Sequence, residues 1–189
     1  MENNETVKYL YEMGYLKQVK RAGWGMIGIT QPESVAEHSF RTAILGYILA
    51  SLTGADPEKT ATMCLFHDTA EARTGDLHRL ARRYNNGDGE ERALADQVSR
   101  LPSAIAEGIS ALVHEYEERA PLEGLLARDA DLLECILQAR EYQVQGHTDA
   151  DDWIEGCYAG LKSEEAKGLA DACLQTEPSE WWRGLKVKR

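Results

Sequence analysis

The chain has 189 residues, 43% hydrophobic and 28% charged, with 21 Lys and Arg against 32 Asp and Glu for a formal charge of −11. That length points to one domain able to bury roughly 70% of its unfolded surface, so neither disulfides nor a metal is needed merely to hold a core. The acidic balance argues against a nucleic-acid polymer as partner, because phosphate backbones demand clustered Lys and Arg. No run of about 18 apolar residues marks a membrane span.

The N-terminal residues Met1-Glu2-Asn3-Asn4-Glu5 lack the basic and then apolar pattern of a secretory signal. Cys64, Cys135, Cys157 and Cys173 are widely spaced, with no C-x-x-C pair, and read as reduced, packed thiols. A cytoplasmic protein is the expectation.

In chain order, nearly every segment has helical period and none alternates like a strand. Residues 4–19 place Val7, Leu10, Tyr11, Tyr15 and Val19 on one stripe. A glycine-rich connector, residues 23–28, leads to Pro32. Ser34-Val35-Ala36-Glu37 has the form of a capping box and opens a long apolar helix to about Leu52, with His38 one turn inside. Asp56-Pro57 starts the next helix, expected to run to Arg73 and stop near Gly75. Residues 85–89 read as a loop that can serve as a lid. Helices over about 90–100 and 103–118 follow, split at Pro102, and Pro121 opens a long one through Gln145. Two shorter helical patterns complete the chain, the second capped by Ser163, before the Trp181-Trp182 tail, expected to pack on the domain or at a dimer interface. The fold expected is all-α: a single compact multi-helix bundle over 1–189, with a core of about 16–145 and a helical extension of about 148–189.

The most informative segment is Phe66-His67-Asp68-Thr69-Ala70-Glu71-Ala72-Arg73-Thr74-Gly75-Asp76. Neighbouring His and Asp side chains splay about 100° apart on a helix and can grip one metal ion from two directions. Glu71, one turn on, shares their face and offers a carboxylate for a proton. A divalent ion needs about four to six ligands, so others must come from elsewhere. His38 is the strongest, in an otherwise apolar helix 29 residues upstream of His67. Another comes from Arg128-Asp129-Ala130-Asp131, where the two acids point to nearly opposite sides. Asp131 shares its side with Leu132, Cys135 and Gln138 and is assigned inward, with Asp129 as fallback. Each residue alone has a structural explanation; together they point to metal, because buried carboxylates and histidines are costly unpaired. His78, His114 and His147 receive no functional role.

His38, His67-Asp68 and Asp131 resemble, in that order, the H…HD…D pattern of the HD-domain phosphohydrolases, an all-helical superfamily. The resemblance is closer to its 5′-deoxynucleotidase branch, through Pro32-Glu33-Ser34-Val35-Ala36-Glu37-His38-Ser39, His67-Asp68-x-x-Glu71-x-x-x-Gly75-Asp76 and Asp131-x-x-Glu134-x-x-Leu137-Gln138-Ala139-x-Glu141. Leu16-Lys17-x-x-x-Arg21-x-Gly23-Trp24 is similar to that branch's N-terminal segment, although Ala22 stands where relatives often carry a small hydroxyl residue.

The resemblance implies a homodimeric enzyme that removes the 5′-phosphate from deoxyribonucleoside monophosphates. It implies one divalent metal ion per site (Mn²⁺, Co²⁺, Fe²⁺, Ni²⁺ or Mg²⁺), held by His38, His67, Asp68 and Asp131. Glu71 then orients or deprotonates water and Asp76 is a second proton-handling group. Arg21 is expected at the phosphate, in a region that also offers Lys17 and Lys20. Trp24 either stacks on the base or sugar or plugs the core beneath the connector. Three rivals stand beside this reading: the same chemistry on a cyclic nucleotide, nucleoside triphosphate or guanosine polyphosphate; a non-catalytic metal- or nucleotide-binding regulator; and a helical interaction protein docking through Trp181-Trp182. The guanosine-polyphosphate version usually reads H-D-x-x-E-D, whereas Ala72 follows Glu71 here.

Overall fold

The computed structural model describes residues 2–85, 87–183 and 185. Among them every regular element is helical: α1 (Glu2–Tyr15), a 3₁₀ turn (Ala22–Ile27), α2 (Val35–Thr53), α3 (Pro57–Phe66), α4 (Glu71–Thr74), α5 (Arg79–Arg82), α6 (Gly89–Val98), α7 (Ser103–Glu118), α8 (Leu122–Val144), α9 (Ala150–Tyr158), α10 (Glu164–Gln175) and α11 (Glu180–Arg183).

Local chemistry sets most of the boundaries. Ser34 caps α2 with the reciprocal Ser34–Glu37 capping box. The Asp56 side chain accepts from Lys59 N–H with Pro57 in the first turn of α3. The Ser163 side chain accepts from Ala166 N–H to start α10.

The central element is α8, which packs against α2, α3, α7, α9 and α10. It buries apolar residues and also Asp129, Asp131 and Glu134, as a helix surrounded by others must. Leu49, Met63, Leu126, Leu133 and Ile136 are almost wholly buried in this core, each worth roughly 1.5–3 kcal/mol over exposure. Helices α2 and α3 approach closely at Gly46, where a Cβ would come within 2.7 Å of Cys64 Sγ. That closeness brings the helix of His38 beside the helix leading to His67.

Three expectations are corrected. Helix α1 ends at Tyr15, not residue 19, because Val19 C=O accepts from Val35 N–H and Lys20 pairs with Ser34. Its Tyr9 is buried, as is Leu16 just beyond its end, while Val7, Leu10, Tyr11 and Tyr15 are exposed. The helix expected over 57–73 breaks at Phe66: Thr69, Glu71, Ala72 and Arg73 N–H each bond three residues back, a tightening that often marks functional segments. Trp181 is 75% exposed and Trp182 44% exposed, so packing on the described domain does not hold for Trp181, and a dimer interface is the expectation that stands for it. The last residues of that tail, Gly184 and 186–189, lie outside the described residues.

Candidate metal centre and active site

Three helical regions deliver the ligand set. His38 comes from the first turn of α2, His67 and Asp68 from the tight turn after α3, and Asp131 from the middle of α8. His38 Nε2 lies 3.1 Å from Asp131 Oδ1 and 3.8 Å from Asp68 Oδ2, and His67 Nε2 lies 3.0 Å from Asp68 Oδ2. Ligand atoms of His38, His67 and Asp68 all fall within 4.8 Å of one another, as do those of His38, Asp131 and Cys135. Asp129 is excluded from the centre: its oxygens accept from Lys162 N–H, Ser163 N–H and Ser163 Oγ at 2.6–2.9 Å.

The surrounding groups leave the right atoms free. His67 Nδ1 is 2.7 Å from Cys64 C=O, which fixes the N–H there and turns the Nε2 lone pair inward. That Nε2 is buried without a hydrogen-bond partner. His38 Nδ1 is 2.5 Å from Glu134 Oε2, while Arg41 Nε donates to Glu134 Oε1 at 2.9 Å. Asp131 Oδ2 accepts from Tyr116 Oη and Arg128 Nη1, both at 2.8 Å, leaving Oδ1 toward His38. Two imidazole nitrogens and two carboxylate oxygens, each oriented from behind, fit a divalent ion of mixed N/O preference. The cluster is a candidate divalent-metal site.

Without a cation, protons take its place. Burial and Arg21 lower the His38 pKa, yet Glu134 and Asp131 outweigh them and carry it up to about 10. Burial raises Asp68 and Asp131, but the histidines and arginines beside them hold both below the usual carboxylate range. Glu71 goes the other way: burial first, then repulsion from Asp68 and Asp76, push it up to about 9. Acids driven apart in this way are a mark of proton-transfer sites.

Glu71 is 2% exposed. Its Oε1 accepts from Arg82 Nη2 at 3.3 Å, and its Oε2 is buried with no partner. With His67 and Asp68 it lines a cavity of about 1320 Å³, whose far wall includes Glu90 and His114. Arg21, Trp24 and Asp76 do not line that cavity. Arg21 Nη1 donates to Asp68 Oδ2 at 3.3 Å and Asp76 Oδ1 at 3.2 Å, and Nη2 lies 3.4 Å from Cys135 Sγ. Ala22 N–H donates to Asp76 Oδ2 at 2.6 Å. Lys17 and Lys20 are exposed on the N-terminal segment and have no hydrogen bond into this cluster. Trp24 is 2% exposed, packs on Tyr142 and Trp153, and donates from Nε1 to Glu33 Oε1 at 3.0 Å. It is the core plug; stacking on a base or sugar is the expectation the structure corrects.

Sequence reasoning missed Glu134 and Arg41 as supports for His38, although each sits three residues beyond a ligand (Asp131 and His38) and shares its face. Tyr116 carried no such signal. Replacing Glu134 with Gln is expected to weaken metal affinity about 10–100-fold, as losses behind a ligating histidine typically do. Metal content after dialysis against graded chelator checks this, and wild-type retention would remove Glu134 from the centre.

An HD-domain family model matches residues 13–172. The chain is 36% identical over 143 residues to 5′-deoxynucleotidase HDDC2 of Dictyostelium discoideum, covering 71% of this chain and 75% of that one. It is 29% identical to 5′-deoxynucleotidase hdd1 of Schizosaccharomyces pombe, covering 97% and 95%. Among solved structures, a conserved hypothetical protein from Pyrococcus furiosus superposes with TM-score 0.75 at 30% identity, covering 90% of this chain and 99% of that one. With the ligand order in place and the model matched across most of its length, the chain belongs to the HD-domain family.

Proposed function

We propose that the protein is a metal-dependent 5′-deoxynucleotidase, releasing phosphate from deoxyribonucleoside 5′-monophosphates. The observation that carries this is that His67 and Glu71 line one cavity with Asp68, while His67 Nε2 and Glu71 Oε2 are buried and make no hydrogen bond. A cation-binding residue and a proton acceptor thus line the same space. The names of the relatives support the substrate class.

An ion held by His38, His67, Asp68 and Asp131 supplies polarisation of the phosphoryl group and a lowered pKa for bound water. Glu71 Oε2 takes the proton of the attacking water as the new P–O bond forms and the P–O5′ bond breaks. The proton taken by Glu71 then passes to the 5′-oxygen, which leaves as the nucleoside hydroxyl. A cation held by these ligands would offset the repulsion of Asp68 and Asp76 on Glu71 and would lower its pKa. Both Asp76 oxygens are occupied by Arg21 and Ala22 N–H, which favours a brace for Arg21 over the proton-handling role expected from sequence. Arg21, held by Asp68 and Asp76, balances the negative charge of the carboxylates around it.

Phosphate release from 2′-deoxy and ribo monophosphates, triphosphates and cyclic nucleotides, with each of Mn²⁺, Co²⁺, Fe²⁺, Ni²⁺ and Mg²⁺, tests the reading. Metal-dependent release from the deoxy monophosphates is expected. Release only from cyclic or triphosphate substrates, or nucleotide binding without release, would overturn it.

A cytoplasmic homodimer belongs to the same proposal. The four cysteines are free, and no helix among the described residues is long and apolar enough to cross a membrane. On α2, Phe40, Ile44, Tyr47, Ile48 and Leu52 form one exposed apolar stripe, the self-complementary face that a two-fold dimer buries. The Ile44→Lys protein is expected to sediment as a 21.1 kDa monomer and the wild type at twice that mass; equal masses would refute the interface.

A further inference from the structure

We propose that Arg82 binds the 5′-phosphate of the substrate, releasing Glu71 as it does so; this rests on the phosphohydrolase reading above. The positive charge already at the site is used up by its own carboxylates. Asp68, Asp131, Glu71 and Asp76 offer four of them, against one divalent ion, Arg21 and Arg128. A phosphate dianion entering there needs a further cation on the cavity side.

The other arginines near the ligands are committed. Arg21 is engaged by Asp68, Asp76 and Cys135, and Arg128 Nη1 by Tyr116 and Asp131. Neither lines the cavity, whereas Arg82 does. Arg92, which also lines it, is 75% exposed and pairs with Asp88.

Arg82 is built to move between partners. Its Nε donates to Leu77 C=O at 2.8 Å, which anchors the guanidinium one residue beyond Asp76. A single nitrogen, Nη2, is shared between Glu71 Oε1 at 3.3 Å and Glu90 Oε1 at 3.2 Å. Its Nη1 makes no hydrogen bond among the described residues. One nitrogen divided between two carboxylates at such lengths is weakly held, while a planar guanidinium can give a phosphate two parallel hydrogen bonds. Exchange of Glu71 for phosphate therefore frees Glu71 Oε1 when the reacting group arrives. Arg82 is also tied through Glu90 to the first turn of α6, so the phosphate contact reaches the 87–91 wall of the cavity.

The test compares wild type, Arg82→Gln and Arg82→Lys, each loaded with Mn²⁺. It measures kcat and KM for a deoxynucleoside monophosphate, competitive inhibition by inorganic phosphate, and bound metal. For Arg82→Gln, KM and the phosphate inhibition constant are each expected to rise at least about tenfold, with metal content unchanged and Arg82→Lys recovering part of both. An unchanged phosphate constant overturns the proposal, including when kcat falls, since Arg82 would then act only through Glu71. If Arg82→Gln fails to fold, Arg82→Lys decides alone, and a phosphate constant equal to wild type counts against the proposal. If the wild type releases no phosphate, the enzymatic reading fails by itself, and calorimetric binding of inorganic phosphate to the same Mn²⁺-loaded proteins still decides the role of Arg82.

Discussion

Asp68→Ala is expected to lose bound metal and, with it, phosphate release by at least about a thousandfold. Asp68 Oδ2 stands between the two imidazoles, 3.0 Å from His67 Nε2 and 3.8 Å from His38 Nε2, and it also receives Arg21 at 3.3 Å. Its removal takes away one of the two ligand carboxylates. It also leaves the Arg21 charge beside two imidazoles with Asp76 alone to balance it. Positive charge then collects where a cation must sit, so the loss exceeds that of a single ligand. A bound ion stabilises the fold by about 2.7 kcal/mol at a hundredfold excess over its dissociation constant. Wild-type protein should therefore melt lower in chelator than in Mn²⁺, and Asp68→Ala should melt identically in both. Stoichiometric metal in the variant, measured by elemental analysis, would remove Asp68 from the ligand set.

The ligands were legible because their physics is local and their context is unusual. His38 follows a capping box in an apolar helix, and nothing but a partner or an ion justifies an imidazole there. Helical geometry put Asp131 and Asp129 on nearly opposite sides but left Asp129 as a fallback, and the structure adds where Asp129 goes, into the cap preceding α10. Less legible were features set by other parts of the chain. The break after Phe66 carries no glycine or proline, since it is imposed by the packing that aims His67 and Asp68 together. The exposed stripe on α1 has the same period as a buried one, and period does not say which face meets the protein. Trp24 had two chemistries open to it, and Tyr142 and Trp153, both more than 100 residues away in sequence, decide between them. Arg82 could not be singled out among the arginines near α5 until Glu71 and Glu90 were placed on either side of it.

Glu71→Gln is expected to lower turnover by about 10²–10⁴-fold while leaving metal content intact, the loss typical of a positioned acid–base group. The same change should stabilise the metal-free protein, and the sign follows from the shifted carboxyl. In the unfolded chain this group titrates near 4.5, and in the folded protein burial and the neighbouring Asp68 and Asp76 push it up to about 9. Below 4.5 it is protonated in both states and costs nothing. Between 4.5 and 9 the unfolded chain releases its proton while the folded protein keeps it, so stability drains away as pH rises, levelling only above 9. Gln cannot ionise and escapes that loss. At neutral pH the difference is about 3 kcal/mol, or on the order of ten degrees in Tm for a chain of this length. Melting curves of both proteins in chelator should coincide near pH 4.5 and separate steadily toward pH 9, with Gln higher. Adding Mn²⁺ should narrow the gap, because the cation offsets the repulsion that raises Glu71. Curves that stay parallel across that range would mean Glu71 is ionised in the folded protein at neutral pH. Wild-type turnover in the metal-loaded Gln variant would take the proton away from Glu71 altogether.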